Sequence, residues 1–275
     1  DLSRMALPTL PARPAESHKG CFGRVGVVGG APGMCGALLL AGRAALACGA
    51  GWVVVAPLDS RLFVDPAQPE LMFDEPARLV ADPRLDVLAL GPGLGRRGEA
   101  PHLLEAALAQ PRPLVLDADA LNLLADQPGL HTLCRARGAP TLLTPHPGEA
   151  ARLLDCEVAA IQSDRAAAAR RLTERFNAWV VLKGAASELA GPSGWHARNA
   201  TGNPALAAPG MGDVLTGALA ALAARLSPAD ALRLAVHLHG LAGDEMVAAG
   251  AGPEGLTASA LIARLNACLN AHVRT

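Results

Sequence analysis

The sequence predicts a doubly wound α/β fold, in which a mostly parallel sheet is flanked by helices within a single domain. Short runs of valine and leucine alternate with longer helical patterns along most of the chain. This alternation is typical of βαβ units, whose strands are parallel. Clusters of glycine and polar residues follow the strands, and the carboxyl ends of parallel strands share one edge of the sheet. We therefore expect a ligand site at that edge.

The composition is that of a globular chain with a large core and little net charge. Of the 275 residues, 51% are hydrophobic and 18% are charged, and the net charge is −1. With four Phe, three Trp and no Tyr, the chain offers neither a basic patch nor many stacking rings, so we predict no nucleic-acid partner. The sequence has no membrane-length apolar run, no signal pattern and no paired cysteine motif. We therefore expect free thiols, a cytoplasmic location and no association with a membrane.

The first part of the chain is predicted to form an extended arm and then a βαβ unit. Residues 1–17 carry three prolines and little periodicity, so we expect an arm there and a domain spanning 18–275. Arg24–Val28 and Trp52–Ala56 are predicted strands, joined by a glycine loop and an Ala/Leu-rich helix that ends near Gly49. The loop lacks the Gly-x-Gly of dinucleotide sites and the Gly-Lys-Ser/Thr of P-loops. It indicates either tight helix–strand packing or close approach of a ligand to the backbone.

A second glycine-rich segment follows the strand predicted at Asp86–Leu90. Its Gly93–Gly98 run formally matches Gly-x-Gly-x-x-Gly, and the acidic Asp117 lies further along the chain. The match keeps an NAD-dependent oxidoreductase as an alternative, although two prolines bracket the run and a motif of this kind has a high false-positive rate on its own. Residues 57–85, which are rich in proline, predict no definite element.

Polar residues also end the strand predicted at Pro113–Asp117. Asp117, Asp119 and Asn122 come at its carboxyl end, where ligands bind in open α/β sheets. They could orient a substrate or hold a metal through water. Alternatively, Asp119 could cap the helix that follows.

His146 is predicted to be held at the same edge. The strand Thr141–Thr144 runs into His146, which lies between two prolines and is therefore kept out of the following helix. We predict that His146 contacts a ligand. Glu149 falls in the first turn of the next helix, where the helix dipole favours a carboxylate.

Lysine usage singles out the strand that begins at Trp179. Only two of the 24 basic residues are lysines, Lys19 and Lys183, and each directly precedes a glycine. Arginine cannot replace an amine that must act as a compact point charge, so both lysines are candidates for such a role. The remaining elements are predicted as helices at 163–177, 228–249 and 256–271 and short strands at 188–190 and 195–197. His237 and His239 do not share a helix face, so they make a poor metal pair.

The chain is organised around the stretch Asn199–Gly217. It begins polar and turn-rich, and Gly210 and Gly212 then lead directly into an apolar pattern with helical spacing. Asp213 therefore lies in or just before the first turn of a helix. Unpaired backbone N–H groups at such an end bind phosphate or a developing oxyanion, and a carboxylate beside them can abstract a proton. An ordinary N-cap aspartate is the alternative.

The set of motifs, taken in order, resembles one family. The motifs are His18-Lys19-Gly20, Gly29-Gly30, Gly36-Ala37, Gly91–Gly95, Asp117–Asn122, Thr144–Glu149, Leu182–Gly184, Gly202–Pro204 and Gly212–Gly217. With its motifs in this order, the chain resembles the ADP- or ATP-dependent NAD(P)H-hydrate dehydratases, which have the ribokinase-like fold. The resemblance runs from about residue 18 to 270.

The resemblance implies a repair lyase that restores NADH or NADPH from the S epimer of its hydrate, NADHX or NADPHX. The co-substrate would be ADP (or ATP), accompanied by Mg2+, with AMP and phosphate as products when ADP is used. Phosphorylation turns the hydroxyl into a good leaving group, which accounts for a dehydratase on a kinase fold. The family also implies a homo-oligomer, by resemblance a homotetramer, and an epimerase domain or partner.

The resemblance also assigns roles to residues of this sequence. Asp213 matches the catalytic base, with Gly210 and Gly212 as the anion hole. The residues matching nucleotide-binding positions are Lys183, Gly184, Ala185, Ala186, Ser187 and Gly212. The residues matching positions that contact the hydrated dinucleotide are Ala37, Gly93, Gly95, His146 and Asp213. No residue is predicted to ligate a metal.

The sequence departs from the family pattern in two places. The usual Met-Ala-Thr-Gly-Gly run before Gly-Asp is replaced by Leu206–Met211, in which Pro209 stiffens the loop, and Ser187 replaces a threonine but keeps the hydroxyl. A ribokinase-like kinase of a small alcohol, such as a thiazole or pyrimidine vitamin precursor, is the nearest alternative function. A nucleotide-binding regulatory protein without turnover is a further one, disfavoured by the presence of Asp213.

Overall fold

One mixed sheet organises the residues that the computed structural model describes, 6–273. Its strands are β1 Arg24–Gly29, β2 Trp52–Pro57, β3 Met72–Phe73, β4 Val87–Leu90, β5 Leu114–Leu116, β6 Thr141–Leu143, β7 Trp179–Leu182, β8 Glu188–Gly191 and β9 Trp195–Arg198. Their order is β3-β2-β1-β4-β5-β6-β7-β8-β9. Strands β1 to β7 pair in parallel, and β7, β8 and β9 pair antiparallel. The predicted doubly wound, mostly parallel sheet is confirmed.

Helices cover both faces of this sheet. They are α1 Cys35–Ala47, α2 Pro76–Ala81, α3 Ala100–Leu108, α4 Asp119–Asp126, α5 Pro128–Arg135, α6 Pro147–Leu154, α7 Val158–Ser163, α8 Arg165–Phe176, α9 Met211–Ala223, α10 Pro228–Ala248 and α11 Ala258–His272. Side chains alternate along the strands, so the core divides into two clusters. Helices α1, α9, α10 and α11 bury one cluster, and α2 to α8 bury the other. The sequence patterns had not predicted β3 and α2, which lie within 57–85.

Close packing of α1 against α9 sets the position of the helix that carries Asp213. Gly217 of α9 faces the backbone of Ala41 in α1, and a Cβ atom at Gly217 would lie only 1.9 Å from the carbonyl oxygen of Ala41. Only glycine allows this approach, and both helices are otherwise rich in alanine and leucine. The start of α9 is therefore held by a tightly packed interior.

The arm lies against the domain over its described part, residues 6–17. Leu10 is buried in the core, and the guanidinium of Arg13 lies 3.7 Å from the ring centroid of Phe22 and donates to the carbonyl oxygen of Gly49 at 2.7 Å. Residues 1–5 of the predicted arm lie outside the described residues. The chain's six cysteines are unpaired. Within 6–273, no helix has both the length and the apolar character needed to cross a bilayer.

Candidate active site

The strand order reverses between β1 and β4, so the loops that follow these strands lie side by side. The amide of Gly30 donates to the carbonyl oxygen of Pro92 at 3.0 Å, and Ala31 donates to Gly93 at 2.7 Å. Ligands of open α/β sheets bind in the crevice at such a switch point. The two glycine-rich segments predicted from the sequence therefore form one surface at the carboxyl edge of the sheet.

Packing explains part of this glycine pattern. A Cβ atom at Gly29 would lie 2.0 Å from the carbonyl oxygen of Pro92, and one at Gly93 would lie 2.4 Å from that of Met34. Gly95 is different, because a Cβ atom there would lie no closer than 3.5 Å to its nearest non-adjoining neighbour, the Cβ atom of Ala31. Ala37 lies in the first turn of α1, beside Gly93. The structure thus brings the predicted substrate-contacting residues Ala37, Gly93 and Gly95 together.

The N-terminus of α9 begins as predicted, at the Gly-x-Gly-Asp run. Gly210 is the N-cap residue with φ 86°, and its Cβ position would clash with Leu40, 2.5 Å away. Asp213 lies in the first turn and is not the N-cap residue. Burial and, to a smaller extent, the nearby Asp117 carboxylate raise the pKa of Asp213 to about 7, against the opposing effect of Lys183. A carboxylate with this pKa suits general base catalysis near neutral pH.

Lys183 joins this helix end to the sheet edge. Its Nζ atom lies 2.7 Å from Oδ1 of Asp117 and 4.0 Å from Oε2 of Glu149. Burial acts to lower the pKa of Lys183, but the carboxylates of Asp117 and Glu149 outweigh it and hold the pKa above its ordinary value. A Cβ atom at Gly212 would lie 3.3 Å from Nζ. The ammonium group therefore stays charged and lies over the first turn of α9.

The side chains of Asp117, Asp119 and Asn122 make hydrogen bonds to different partners. Oδ2 of Asp119 accepts from the amide of Gly95 at 2.9 Å, and Asn122 accepts from Arg152 at 2.7 Å. Helix capping by Asp119 is wrong, since Asp119 is the first helical residue and the N-cap residue makes no side-chain bond. Within 6–273, no three His, Cys, Asp or Glu side chains are grouped as a metal site.

His146 is the N-cap residue of α6, so part of its ring has a structural function. Its Nδ1 atom accepts from the amides of Gly148 and Glu149 at 3.0 and 3.3 Å, and Glu149 accepts in return from the His146 amide at 2.8 Å. This capping box fixes the ring with the proton on Nε2. Burial and the charge of Lys183 lower the pKa of His146, while burial raises the pKa of Glu149. The side chain of His146 is 52% exposed, which leaves its free edge open to a ligand.

The run Lys183–Ser187 continues from the end of β7 with its three central residues exposed, and the side chain of Arg165 contacts its backbone. One terminal nitrogen of Arg165 donates to the carbonyl oxygens of Leu182 and Lys183 at 3.0 and 3.2 Å. A Cβ atom at Gly184, where φ is 151°, would lie 2.7 Å from that nitrogen. Ser187 donates its hydroxyl to the carbonyl oxygen of Gly184 at 3.1 Å. The structure adds Arg165 to the site, and no motif in the sequence marks it.

Helix α10 supplies two further residues, His239 and Asp244, whose contacts with the site were not predicted from the sequence. His239 donates from Nε2 to the carbonyl oxygen of Met211 at 3.0 Å, and burial lowers its pKa to about 4, so the ring is neutral. Asp244 accepts from the amide of Gly202 at 2.9 Å and from the side chain of Asn203 at 2.8 Å. Both bonds hold the loop that leads into α9. In the sequence, His239 had been considered only together with His237, as a poor pair of metal ligands.

The fold and the site together define a ribokinase-like α/β protein. Seven parallel strands end in an antiparallel β8–β9 hairpin, and a glycine-rich helix N-terminus carries a perturbed aspartate at the carboxyl edge. The family model described as NAD(P)H-hydrate dehydratase matches residues 25–266, and the chain belongs to that family. The family indicated by the sequence motifs is thereby confirmed.

Relatives and solved structures agree with this membership. The chain is 42% identical over 239 residues to the ADP-dependent (S)-NAD(P)H-hydrate dehydratase of Neisseria meningitidis, covering 85% of this chain and 80% of that protein. It is 43% identical over 253 residues to a bifunctional NAD(P)H-hydrate repair enzyme of Moorella thermoacetica, of which it covers 47%. The chain spans about half the length of the bifunctional relatives it matches.

A solved structure matches the whole architecture. The ADP/ATP-dependent NAD(P)H-hydrate dehydratase of Bacillus subtilis, co-crystallised with ATP and Mg2+, superposes with a TM-score of 0.85 at 30% identity. The match covers 96% of this chain and 95% of the Bacillus chain. The ribokinase-like fold predicted from the resemblance is therefore confirmed.

Proposed function

We propose that this chain catalyses the ADP-dependent dehydration of the S epimer of NADHX or NADPHX, which restores NADH or NADPH and releases AMP and phosphate. The observation that carries the proposal is the first turn of α9. Asp213, with a pKa of about 7, lies there among the first backbone amides of the helix, which have no acceptor within the helix, and the ammonium of Lys183 lies over the same turn. A base, an anion hole and a fixed cation are what phosphoryl transfer from a nucleotide to a hydroxyl requires.

The proposed reaction has two steps, phosphorylation of the substrate hydroxyl and elimination of phosphate. Asp213 takes the proton of the substrate hydroxyl, whose oxygen attacks the terminal phosphorus of ADP, and the bond from that phosphorus to the AMP oxygen breaks. The ring nitrogen then supplies an electron pair that expels phosphate from the adjacent carbon. Transfer of a proton from the next ring carbon to the departing phosphate or to water then forms the double bond of the dihydronicotinamide. Phosphorylation is needed because hydroxide is a poor leaving group.

The two ligands are assigned to the two parts of the site. Lys183, Gly184, Ala185, Ala186, Ser187 and Gly212 would bind the nucleotide, and Ala37, Gly93, Gly95, His146 and Asp213 would contact the hydrated dinucleotide. The exposed run after β7 and the switch-point loops support this division, since both lie at the carboxyl edge of the sheet. The apposition of the two parts would bring the hydroxyl and the terminal phosphoryl group together over Gly210–Asp213.

Mg2+ is assigned to the nucleotide, where it neutralises phosphate charge. Mg2+ in phosphoryl-transfer sites is usually held by substrate phosphates and one or two carboxylates. The described residues fit delivery of Mg2+ with ADP, because Asp117 and Asp119 already accept hydrogen bonds from Lys183 and Gly95 and no acidic group of three is arranged as a cage. We also propose, from the family resemblance, that the chain forms a cytoplasmic homotetramer and works with an epimerase domain or partner; the bifunctional relatives support a second activity alongside this one.

One assay tests the proposal. The purified chain is mixed with S-hydrate, ADP and Mg2+, and absorbance in the reduced-nicotinamide band is followed while AMP and phosphate are quantified. We expect restored NADH or NADPH to form in step with AMP and phosphate. A stable phosphorylated product without recovered nicotinamide would point instead to a small-alcohol kinase. Without ADP, no absorbance should be recovered.

A further inference from the structure

Asp117 receives hydrogen bonds from two different elements at the carboxyl edge of the sheet. It directly follows β5, and its Oδ1 atom accepts from Nζ of Lys183, which follows β7, at 2.7 Å. Its Oδ2 atom accepts from the hydroxyl of Thr216, in α9, at 2.8 Å. Asp117 and Thr216 are 1% and 0% exposed. The carboxylate thus links the lysine directly to the helix that carries Asp213.

This arrangement orients the lysine with respect to the catalytic turn. Thr216 lies three residues after Asp213, so the two side chains lie on neighbouring parts of one helix face. A Cβ atom at Gly212 would lie 3.3 Å from Nζ of Lys183 and 3.7 Å from Oδ2 of Asp117. An alanine at Gly212 would already be in tight contact with Nζ of Lys183, and a larger side chain would extend further towards the ion pair. Because Gly212 has no side chain, the ammonium group of Lys183 faces the start of α9 directly.

A simple contribution to stability does not account for this pair. Removing two charges from water costs about as much as their attraction returns, so buried ion pairs are weak evidence for stability. What such a pair does provide is a fixed position for a charge. An ammonium group has three N–H donors, and Asp117 accepts from one, while the nearest oxygen of Glu149 is 4.0 Å away. Donor capacity therefore remains for a ligand.

We propose that Asp117 and Thr216 are positioning residues for the reaction. Thr216 orients the Asp117 carboxylate, and that carboxylate holds the Lys183 ammonium over Gly212, where it faces the transferred phosphoryl group. The inference rests on the proposed function and extends it, because neither Asp117 nor Thr216 belongs to the residues assigned above to ligand contact. It predicts that a hydroxyl in the interior of α9 controls phosphoryl transfer without contacting a substrate.

Thr216→Val tests this directly, because valine matches the shape of threonine but lacks the hydroxyl. We expect kcat to fall at least about 10-fold, as for loss of about 1.4 kcal/mol of transition-state stabilisation. The Kd of ADP, measured by calorimetry, should rise at least about fivefold, while that of the hydrate stays within about twofold, since the hydrate is assigned to other residues. Thr216→Ser, which restores the hydroxyl, should recover most of both losses.

Thr173→Val is the matched control. Thr173 is also a buried threonine, but it lies on α8, outside the site, and its hydroxyl makes no hydrogen bond to the described residues. We expect this variant to keep wild-type kcat and ADP affinity. All three variants are assayed well below their unfolding midpoints, measured by thermal denaturation, so that a loss of folded protein is not read as a loss of turnover.

The outcomes separate this inference from the proposed function. If the wild type restores no nicotinamide, the proposed function fails, but the effect of Thr216→Val on the Kd of ADP still tests the placement of Lys183. If Thr216→Val binds ADP and turns over like Thr173→Val, the positioning role is refuted, whatever its unfolding midpoint. A loss in Thr216→Val that serine does not restore also refutes it, because the hydroxyl would then not be the group responsible.

Discussion

Nε2 of His239, on α10, lies 3.0 Å from the carbonyl oxygen of Met211, the first residue of α9. The peptide between Met211 and Gly212 is planar and trans, so fixing its carbonyl also fixes the direction of the Gly212 N–H. That N–H group belongs to the anion hole proposed at Gly210–Asp213. The hydrogen bond therefore links the geometry of the first turn of α9 to a helix that carries none of the predicted ligand-binding residues.

Loss of this bond should impair turnover more than binding. We expect His239→Leu to lower kcat about 10-fold or more, because a misdirected anion-hole donor weakens transition-state stabilisation. The KM of the hydrate should change little. His239→Gln, which can place a donor near the Nε2 position, should retain more activity than the leucine variant.

His237→Leu is the control for that prediction. His237 is two residues away on the same helix, and its side chain makes no hydrogen bond within the described part of the chain. Steady-state kinetics at saturating ADP compares the three variants. Equal kcat in His239→Leu and His237→Leu would contradict the assigned function of His239.

Asp213 should set the acidic limb of the pH profile. Its pKa is raised to about 7, and only the ionised carboxylate can accept a proton, so the active fraction falls as pH drops below that value. We expect kcat/KM for the hydrate to decline towards tenfold per pH unit below about pH 7. Replacement of the carboxylate in Asp213→Asn should lower turnover at least about 10²-fold, because the general base is lost, while the variant still binds ADP.

Measurement of kcat/KM from pH 5 to pH 9, with ADP binding by calorimetry as the control, checks both statements. An acidic limb centred near pH 4 would show that the carboxylate is not perturbed as the site requires. Near-normal turnover in Asp213→Asn would remove it from the mechanism altogether.

The sequence predicted those parts of the site that depend on local patterns. Apolar spacing after Gly212 placed Asp213 in a first helical turn, and alternating strands and helices placed the glycine-rich segments at one sheet edge. Prolines around His146 indicated a rigid position, and the structure adds the reason, a capping box with Glu149. In each of these cases the signal lies within a few residues of the feature.

Features that depend on distant residues were not predictable in this way. Lys183 and Asp117 are 66 residues apart in sequence, and Asp117 and Thr216 are 99 apart. Nothing in the sequence around Arg165 or His239 indicates that each contacts a site backbone carbonyl. The same limit explains why Asp119 was considered as a helix cap: its actual partner, the Gly95 amide, comes from another loop.

We expect that substitutions can separate two functions of His146, capping of α6 and contact with a ligand. Its Nδ1 atom caps α6, while its side chain remains half exposed. Asparagine is a favourable N-cap residue, so His146→Asn should keep the unfolding midpoint near that of the wild type yet raise the KM of the hydrate several-fold. His146→Ala should raise KM similarly and also destabilise the protein by about 1 kcal/mol.

Thermal denaturation and steady-state kinetics of the two variants give the answer. Wild-type KM in His146→Asn would mean that the histidine is only a helix cap. A tightly bound metal at His146 in elemental analysis would contradict the expectation that it contacts the dinucleotide and holds no metal.

The expected choice of nucleotide rests on how the protein anchors the proposed nucleotide-binding run. The backbone of Lys183 begins the proposed nucleotide-binding run and is anchored by its amide to the carbonyl oxygen of Pro145 at 2.8 Å, while its side chain reaches the first turn of α9. Arg165 holds the start of the same run from below. Both ends of a bound nucleotide would therefore meet rigid groups.

Phosphoryl transfer needs the attacking oxygen in line with the terminal phosphorus, about 3–3.5 Å from it. If the adenosine end is held along Lys183–Ser187, only one polyphosphate length would place its terminal group correctly over the proposed anion hole. We expect ADP to support turnover of the S-hydrate and ATP to do so at least about 10-fold more slowly, since small misplacements of reacting atoms are costly. Chromatographic analysis of the nucleotides decides the matter: AMP should appear in step with restored NADH or NADPH. ADP formed from ATP at a comparable or faster rate, with the nicotinamide restored, would show that the run accommodates both lengths.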